Sequence, residues 1–211
     1  MQGFGTDEIA ALFARLAEVF AAEKEALIAL DGKVGDSDLG LTMAKGFGAA
    51  HAAVAAMETP TPEAQFKTGG AAIARAAPST MGTLMATGLL RGSAAVSGAD
   101  RLETAEMAAF WSAFRDGVAH RGRAQVGDKT VLDVLHPIAE TMQAQAREGA
   151  ALDAALDRAR VAAEQALEDT KDLVAQHGKA AAFQEKTRGI QDAGSTVAVI
   201  LIRTMAGCAA D

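Results

Sequence analysis

Apolar residues recur at helical spacing along most of this chain, and no segment alternates cleanly between apolar and polar residues. The first such repeat comprises Ile9, Leu12, Phe13, Leu16, Val19 and Phe20. This spacing predicts amphipathic α-helices, whereas strands would need a period of two. Half of the 211 residues are apolar but only 4% are aromatic, so Ala, Leu, Val, Ile and Met must supply most of the core. Because Ala and Leu are strong helix formers, the sequence favours an all-α fold.

Start and stop signals divide the chain into about eight helices. Thr6 is a suitable N-cap, and Pro62 suits the first turn of a helix. The predicted helices span residues 6–30, 39–57, 61–75, 78–92, 103–120, 130–147, 152–174 and 195–205. No linker rich in Pro or Ser divides them, so we expect a single domain over residues 1–211.

The formal net charge of −7 argues against general affinity for nucleic acid or for anionic membranes. Cys208 is the one cysteine, which fits a reducing compartment. The N-terminus lacks the pattern of a signal peptide. The longest aliphatic run, Val197 to Ile202, is far shorter than the ~20 residues that a membrane helix needs. We therefore expect a cytoplasmic protein without a membrane partner.

Three aspartates, Asp31, Asp36 and Asp38, fall within one glycine-containing loop. Carboxylate oxygens are the ligands that Mg²⁺ prefers, and a flexible loop lets several of them converge. The spacing does not match the calcium loop of an EF-hand. The alternative is that these aspartates cap helix ends and fill turns, as Asp often does. Spacing alone leaves both interpretations open.

Two helix starts offer a second kind of site. Ser79 and Thr80 open one predicted helix, where free N–H groups and hydroxyls suit a phosphate. The segment Gly127-Asp128-Lys129-Thr130 opens another and is similar to the end of a P-loop. The full P-loop motif is missing and no strand precedes it, so a Walker A site is rejected. At both starts a plain capped turn remains the alternative.

A fourth polar segment, residues 186–195, places cations beside an Asp-x-Gly turn. Lys186 or Arg188 could pair with phosphate oxygens, and a solvated basic loop is the alternative. The four histidines have no spacing typical of a zinc site.

Taken together, these segments resemble the dihydroxyacetone kinase L-subunit family, DhaL, also called the DAK2 domain. Leu30 to Phe47 resembles the magnesium-binding block, with its G-D-x-D-x-G core. Ser79 to Thr83 resembles the small-residue turn, and Gly127 to Leu135 resembles the G-D-K-T-M-L-D-x-L block. Thr187 to Ser195 resembles the closing block. The four matches occur in family order and span nearly the whole chain.

The resemblance implies an eight-helix antiparallel barrel with ADP or ATP at one end. It implies that Asp31, Asp36 and Asp38 are the catalytic carboxylates and hold two Mg²⁺ ions that bridge the phosphates. By motif match, the cofactor-binding positions are Leu39, Thr42, Ser79, Thr80, Gly82, Gly127, Thr130, Lys186, Asp192 and Gly194. The family usually has His at position 39, Asn at 42, Pro at 193 and Arg at 186, where this chain has Leu, Thr, Ala and Lys.

The resemblance also implies a role in a short-chain ketose kinase, a phosphotransferase that works as a complex. A separate K subunit would hold the sugar, and either ATP or a phosphotransferase-system protein would supply the phosphoryl group. Dihydroxyacetone and a tetrulose both remain open as acceptors, and a homodimer is also open. The alternative is a nucleotide-binding regulatory or partner-binding module without kinase activity of its own.

Overall fold

The structure, a computed structural model, describes residues 3–210 of the chain. This part contains nine α-helices and two 3₁₀ segments, Thr170–Asp172 and Ala180–Thr187. The α-helices are α1 Thr6–Ala22, α2 Lys24–Asp31, α3 Leu39–Ala55, α4 Pro62–Ala76, α5 Thr80–Ala95, α6 Thr104–Gly122, α7 Leu132–Arg147, α8 Leu152–Asp169 and α9 Ala193–Ala210. Within residues 3–210, β pairing is limited to an isolated bridge between Phe4 and Leu102.

Eight of the helices form a closed ring. Helix α1 packs against α3, each helix from α3 to α8 packs against the next, and α9 packs back against α1. One end of the ring gathers the ends of α4 and α6 with the starts of α3, α5, α7 and α9. Successive helices therefore run in opposite directions. This arrangement confirms the predicted all-α antiparallel barrel.

The short helix α2 lies outside that ring, and the prediction of one continuous helix over residues 6–30 was wrong. The break falls at Glu23, which ends α1 and begins α2 without a Gly or a Pro. Helix α2 packs mainly against α3, where Gly40 lies so close to the Lys24 carbonyl that a β-carbon would overlap it. Packing against α3, which a local sequence window cannot reveal, accounts for the bend.

Aromatic side chains concentrate in the barrel interior despite their low number. Phe13 lies 5.8 Å from Phe66, and Phe66 lies 4.5 Å from Phe110, measured between ring centroids. Trp111 meets Phe110 edge-on, with centroids 5.9 Å apart. All four rings are at most 2% exposed. The middle of the barrel is therefore a packed core, and the open space lies at one end.

Helix α9 is long and apolar enough to cross a membrane by length and composition alone. However, 61% of its 18 residues are buried inside the barrel, against α8, α1 and α7. Such burial is typical of the core helix of a soluble protein.

Several helix boundaries differ from the predicted ones. Helix α8 ends at Asp169, five residues before the predicted end, and α7 begins at Leu132, two residues late. Helix α9 begins at Ala193, two residues earlier than predicted. These three boundaries lie at the open end of the barrel, where side chains from distant segments bind the backbone. At the other end, α5 and α9 extend three and five residues beyond their predicted ends, to Ala95 and Ala210.

Candidate functional site

A cavity of about 1000 Å³ occupies the end of the barrel at which four helices begin. Its wall includes the first residues of α3, α5, α7 and α9, namely Leu39, Thr80, Leu132 and Ala193. The N-terminus of a helix carries a partial positive charge and unpaired N–H groups. The dipoles of four such ends around one cavity favour an anionic ligand, although side chains of the chain already bind an N–H group at or near each end. The volume is large enough for a small-molecule ligand.

The three predicted carboxylates lie together on one side of this cavity. Asp31, Asp36 and Asp38 each offer an oxygen, and these oxygens lie within 4.8 Å of one another. Asp31 is the last residue of α2, and its Oδ2 accepts hydrogen bonds from the N–H groups of Asp38 (3.0 Å) and Leu39 (3.4 Å). Gly35 makes this turn possible, because a β-carbon there would overlap the Asp31 carboxylate.

The chemistry of this acidic cluster fits a divalent cation. All three side chains offer oxygen, the ligand type of Mg²⁺, and they face the cavity without being buried. Three carboxylates this close repel one another unless a cation lies near them. In the structure Lys179 forms an ion pair with Asp36 and so supplies part of that positive charge. The assignment of the three aspartates as metal ligands stays a prediction.

The start of α5 is a capped helix turn, which was the alternative interpretation of this segment, and it also faces the cavity. The Ser79 hydroxyl accepts a hydrogen bond from the Gly82 N–H at 3.1 Å. Ser79 and Thr80 line the cavity, whereas Gly82 does not. A β-carbon at Gly82 would overlap the Ala77 carbonyl, so packing accounts for that glycine.

The start of α7 differs from the helix start that the sequence suggested. The Asp133 carboxylate accepts hydrogen bonds from the N–H groups of Gly127 (2.6 Å) and Thr130 (2.7 Å). These two N–H groups are therefore engaged within the chain. Thr130 still lines the cavity, but Gly127 does not.

Lys129 is a functional candidate that sequence reasoning missed. Although it borders the cavity, it is only 3% exposed, and its Nζ donates to main-chain carbonyls of the segment between α8 and α9. Burial lowers the pKa of its ammonium group. The motif gave a signal, since a lysine before Thr130 is similar to a P-loop lysine, but the partners of this lysine are distant in sequence.

Two of the predicted positions at the start of α9 line the cavity, Asp192 and Gly194. Asp192 caps the helix, because its Oδ2 accepts from the Ser195 N–H at 2.6 Å. Burial raises the pKa of the Asp192 carboxyl to about 6. Two other predicted positions lie elsewhere: Lys186 is exposed on a 3₁₀ segment, and Thr42 is buried in α3.

Three cationic or titratable side chains that were not predicted border the cavity: Arg121, His177 and Lys179. His177 Nε2 lies 3.0 Å from Asp128 Oδ2, which ties the α8–α9 segment to the loop before α7. The sequence gave no signal for these residues, because their segments become neighbours only in the folded barrel.

Comparison with known proteins places this geometry in a family. The family model of the DAK2 domain matches residues 33–207. The ADP-binding subunit DhaL of the PEP-dependent dihydroxyacetone kinase of Escherichia coli K12 is 29% identical over 91% of both chains. The D-erythrulose kinase of Mycolicibacterium smegmatis is 31% identical over 97% of this chain, which covers only 36% of that protein.

Solved structures give the same fold. The dihydroxyacetone kinase of C. freundii in its native form superposes with a TM-score of 0.74 at 20% identity, over 98% of this chain and 35% of that one. Its complex with AMP-PNP and Mg²⁺ gives a TM-score of 0.72 at 21% identity. The chain thus spans about a third of these longer kinases. The match to the family model over most of its length shows that the chain belongs to the DAK2 domain family.

Proposed function

We propose that this chain is the Mg-nucleotide-binding, phosphoryl-transfer subunit of a short-chain ketose kinase of the dihydroxyacetone type. The observation that carries the proposal is the cavity in which four helix N-termini face a cluster of three carboxylates. Helix N-termini suit phosphate oxygens, and carboxylates suit the Mg²⁺ that accompanies a nucleotide. Neither feature alone specifies a nucleotide. Together, the positive helix ends suit the negative diphosphate, and the negative carboxylates suit the metal cation that accompanies it.

The names of the relatives support this choice of ligand. The Escherichia coli relative is called an ADP-binding subunit, as is a relative from Listeria innocua that is 28% identical over 86% of both chains. One of the C. freundii structures contains AMP-PNP and Mg²⁺. We therefore expect ADP or ATP in the cavity, with Mg²⁺ at Asp31, Asp36 and Asp38.

Different residues of the cavity can bind different parts of such a ligand. The three aspartates would hold Mg²⁺, most simply as two ions. When bound, Mg²⁺ neutralises phosphate oxygens and keeps the transferred group in line. Ser79, Thr80 and the N–H groups at the start of α5 lie where they can orient phosphate oxygens, and Arg121 and Lys179 add positive charge. Catalysis would then depend on positioning and charge stabilisation.

The acceptor sugar is expected outside this domain, because the Escherichia coli relative, of which the match covers 91%, is named as the ADP-binding subunit of its kinase. The match covers only 36% of the D-erythrulose kinase. A K-type subunit would bind the ketose. The names of the relatives allow either dihydroxyacetone or erythrulose as that ketose. The relatives called PEP-dependent suggest that a phosphotransferase-system protein could recharge bound ADP, with free ATP as the other donor.

Calorimetric titration of nucleotide-stripped protein with ADP tests the proposal. We expect binding in the presence of Mg²⁺ and its loss after EDTA is added. Binding with phosphoryl transfer to a ketose only when a K subunit is present supports the kinase subunit. Binding without transfer in any pairing favours the regulatory module, and no binding in either condition contradicts a nucleotide site.

A further inference from the structure

We propose that Lys129 is a positioning residue whose ammonium group clips both ends of the segment between α8 and α9 to the start of α7. This segment, residues 170–192, is called here the α8–α9 connection. Its middle part, His177 to Ala180, forms one wall of the cavity. The role of this wall in binding a nucleotide rests on the proposed function, but the clip itself does not.

Four carbonyl groups surround the Lys129 ammonium. Nζ lies 2.7 Å from the oxygen of Thr170 and 3.2 Å from that of Leu173, both at the beginning of the connection. It lies 2.8 Å from the oxygen of Thr187 and 2.7 Å from that of Ile190, near the end of the connection. One side chain therefore binds both ends of a loop that it does not belong to.

The cage is specific for a cation. An ammonium group has three N–H donors, so four acceptors use all of them, with one bond shared. Burial lowers the pKa of this ammonium group, and the charges of Asp192 and Asp133 oppose that shift. A neutral side chain would remove the donor that Lys129 gives to the part-buried carbonyls of Leu173 and Ile190, which is costly. The carbonyls of Thr170 and Thr187 would each keep a backbone N–H donor, from Leu173 and Ile190.

This arrangement also assigns the lysine of the Gly-Asp-Lys-Thr motif a role unlike that of a P-loop lysine. A P-loop lysine reaches the phosphates of the nucleotide. Here the ammonium is engaged by Thr170, Leu173, Thr187 and Ile190 and is almost fully buried. The positive charge that faces the cavity comes from other residues, and Lys129 acts on a ligand only through the wall that it holds.

The connection has other ties, and these limit the expected effect. The Gly189 N–H donates to the Lys171 carbonyl at 2.7 Å, and the Ala175 N–H donates to the Thr187 hydroxyl at 3.0 Å. Both bonds join the two ends of the connection to each other. The bond from the Gln176 N–H to the Asp128 carbonyl, at 3.0 Å, joins the connection to the loop before α7. Removal of Lys129 should loosen the connection locally without unfolding the barrel.

The test compares Lys129→Met with Lys171→Met in the full chain. Both changes remove one positive charge, but Lys171 is only partly buried and pairs with Glu168 on the surface. Hydrogen exchange of the ligand-free proteins would be measured, followed by titration with ADP and Mg²⁺ well below the thermal midpoint. For Lys129→Met we expect amide protection over residues 174–190 to fall about tenfold or more, with α1 to α7 unchanged. We also expect Mg-ADP to bind about tenfold more weakly, whereas Lys171→Met should match the wild type in both measurements.

Each result decides a separate statement. Unchanged protection over residues 174–190 in Lys129→Met would overturn the clip, and so would a loss of helical circular dichroism, because the proposed effect is local. Local loss of protection with unchanged Mg-ADP affinity would overturn the positioning role. If the wild type binds no Mg-ADP, the proposed function is contradicted. The hydrogen-exchange comparison of the ligand-free proteins then still tests whether Lys129 holds the α8–α9 connection.

Discussion

Two oxygen-rich clusters lie at the cavity end of the barrel, and they interact with positive charge in different ways. The acidic cluster of Asp31, Asp36 and Asp38 is negatively charged and faces the cavity. The carbonyl cage around Lys129 is built from uncharged main-chain groups and is closed by an ammonium group of the chain itself. The first cluster is suited to a cation from solution, and the second holds one permanently.

The difference follows from desolvation. Buried charges are tolerated when they are fully hydrogen-bonded, as the Lys129 ammonium is. Carboxylates that must exchange a metal and a phosphate ligand have to stay accessible. The barrel end therefore separates a buried cluster, which contacts the segment that forms the wall, from an accessible cluster, which is suited to binding a cation. Changes in the two clusters should affect different measurements.

The largest expected effect is in the acidic cluster. Asp36→Asn removes one negative charge from the proposed metal site. We expect Mg-dependent ADP binding to weaken by about 100-fold or more, because a hard cation binds carboxylate far better than amide. The helices should stay folded, since the partner of Asp36 is an exposed lysine whose ion pair contributes little stability. Calorimetric titration measures the first effect and circular dichroism the second.

Asp100→Asn is the matched control for that variant, because Asp100 is exposed at the far end of the barrel, in the loop before α6. It should bind Mg-ADP as the wild type does. Retained binding in Asp36→Asn would count against the metal assignment and would remove the distinction between the two clusters.

The next effect concerns the turn that brings the carboxylates together. In Gly35→Ala the new methyl group overlaps the Asp31 carboxylate and carbonyl, so Asp31 must move. We expect Mg-ADP affinity to fall about tenfold or more, since tenfold corresponds to about 1.4 kcal/mol. Gly48→Ala, in α3, meets nothing within 4 Å and should leave affinity unchanged. Equal affinities in the two variants would mean that the position of Asp31 does not matter for binding.

A third prediction tests the electrostatics beside the carbonyl cage. The Asp192 pKa of about 6 in the folded chain exceeds the ordinary value of 3.8. Between these values the folded state holds a proton that the unfolded state has released, so stability falls as pH rises through this window. From pH 5 to pH 7.5 the wild type should lose about 1.4 kcal/mol of unfolding free energy relative to Asp192→Asn. Urea unfolding of both proteins at both pH values measures this difference, and a constant difference would contradict the raised pKa.

Local patterns were sufficient to predict most of the scaffold, because helical periodicity identified most of the barrel helices. The three aspartates share one loop, where Asp31 and Asp38 come together through a hydrogen bond, but their spacing alone left a metal site and a capped turn both open, and the family resemblance favoured the metal site. The N-cap at Ser79 could be predicted, because a cap bonds to a residue three positions away.

Interactions between distant segments could not be predicted. The bend at Glu23 depends on the packing of Gly40 against Lys24, and the early end of α8 leaves the Thr170 carbonyl to Lys129, 41 residues away. Asp133 was not recognised as the partner of the Gly127 and Thr130 N–H groups, because the motif suggested an external anion instead. These contacts require the helices to be assembled first.

The smallest expected effect concerns Ser79, which caps α5 and lines the cavity. Substitution of Ser79 separates the contribution of this helix end to stability from its contribution to binding. Ser79→Ala removes the hydroxyl that accepts the Gly82 N–H and should cost about 1 kcal/mol of unfolding free energy. Thr61→Ala removes the equivalent cap of α4, where the hydroxyl accepts from the Ala64 N–H at 3.2 Å, on a loop that does not border the cavity. Both variants should lose similar stability in urea unfolding. Only Ser79→Ala should also weaken Mg-ADP binding, by a few-fold, because Ser79 lines the cavity in which the phosphates are proposed to bind. If both variants bind Mg-ADP equally well, the start of α5 serves only as a capped helix, and phosphate recognition must come from the other three helix ends and the cations of the cavity.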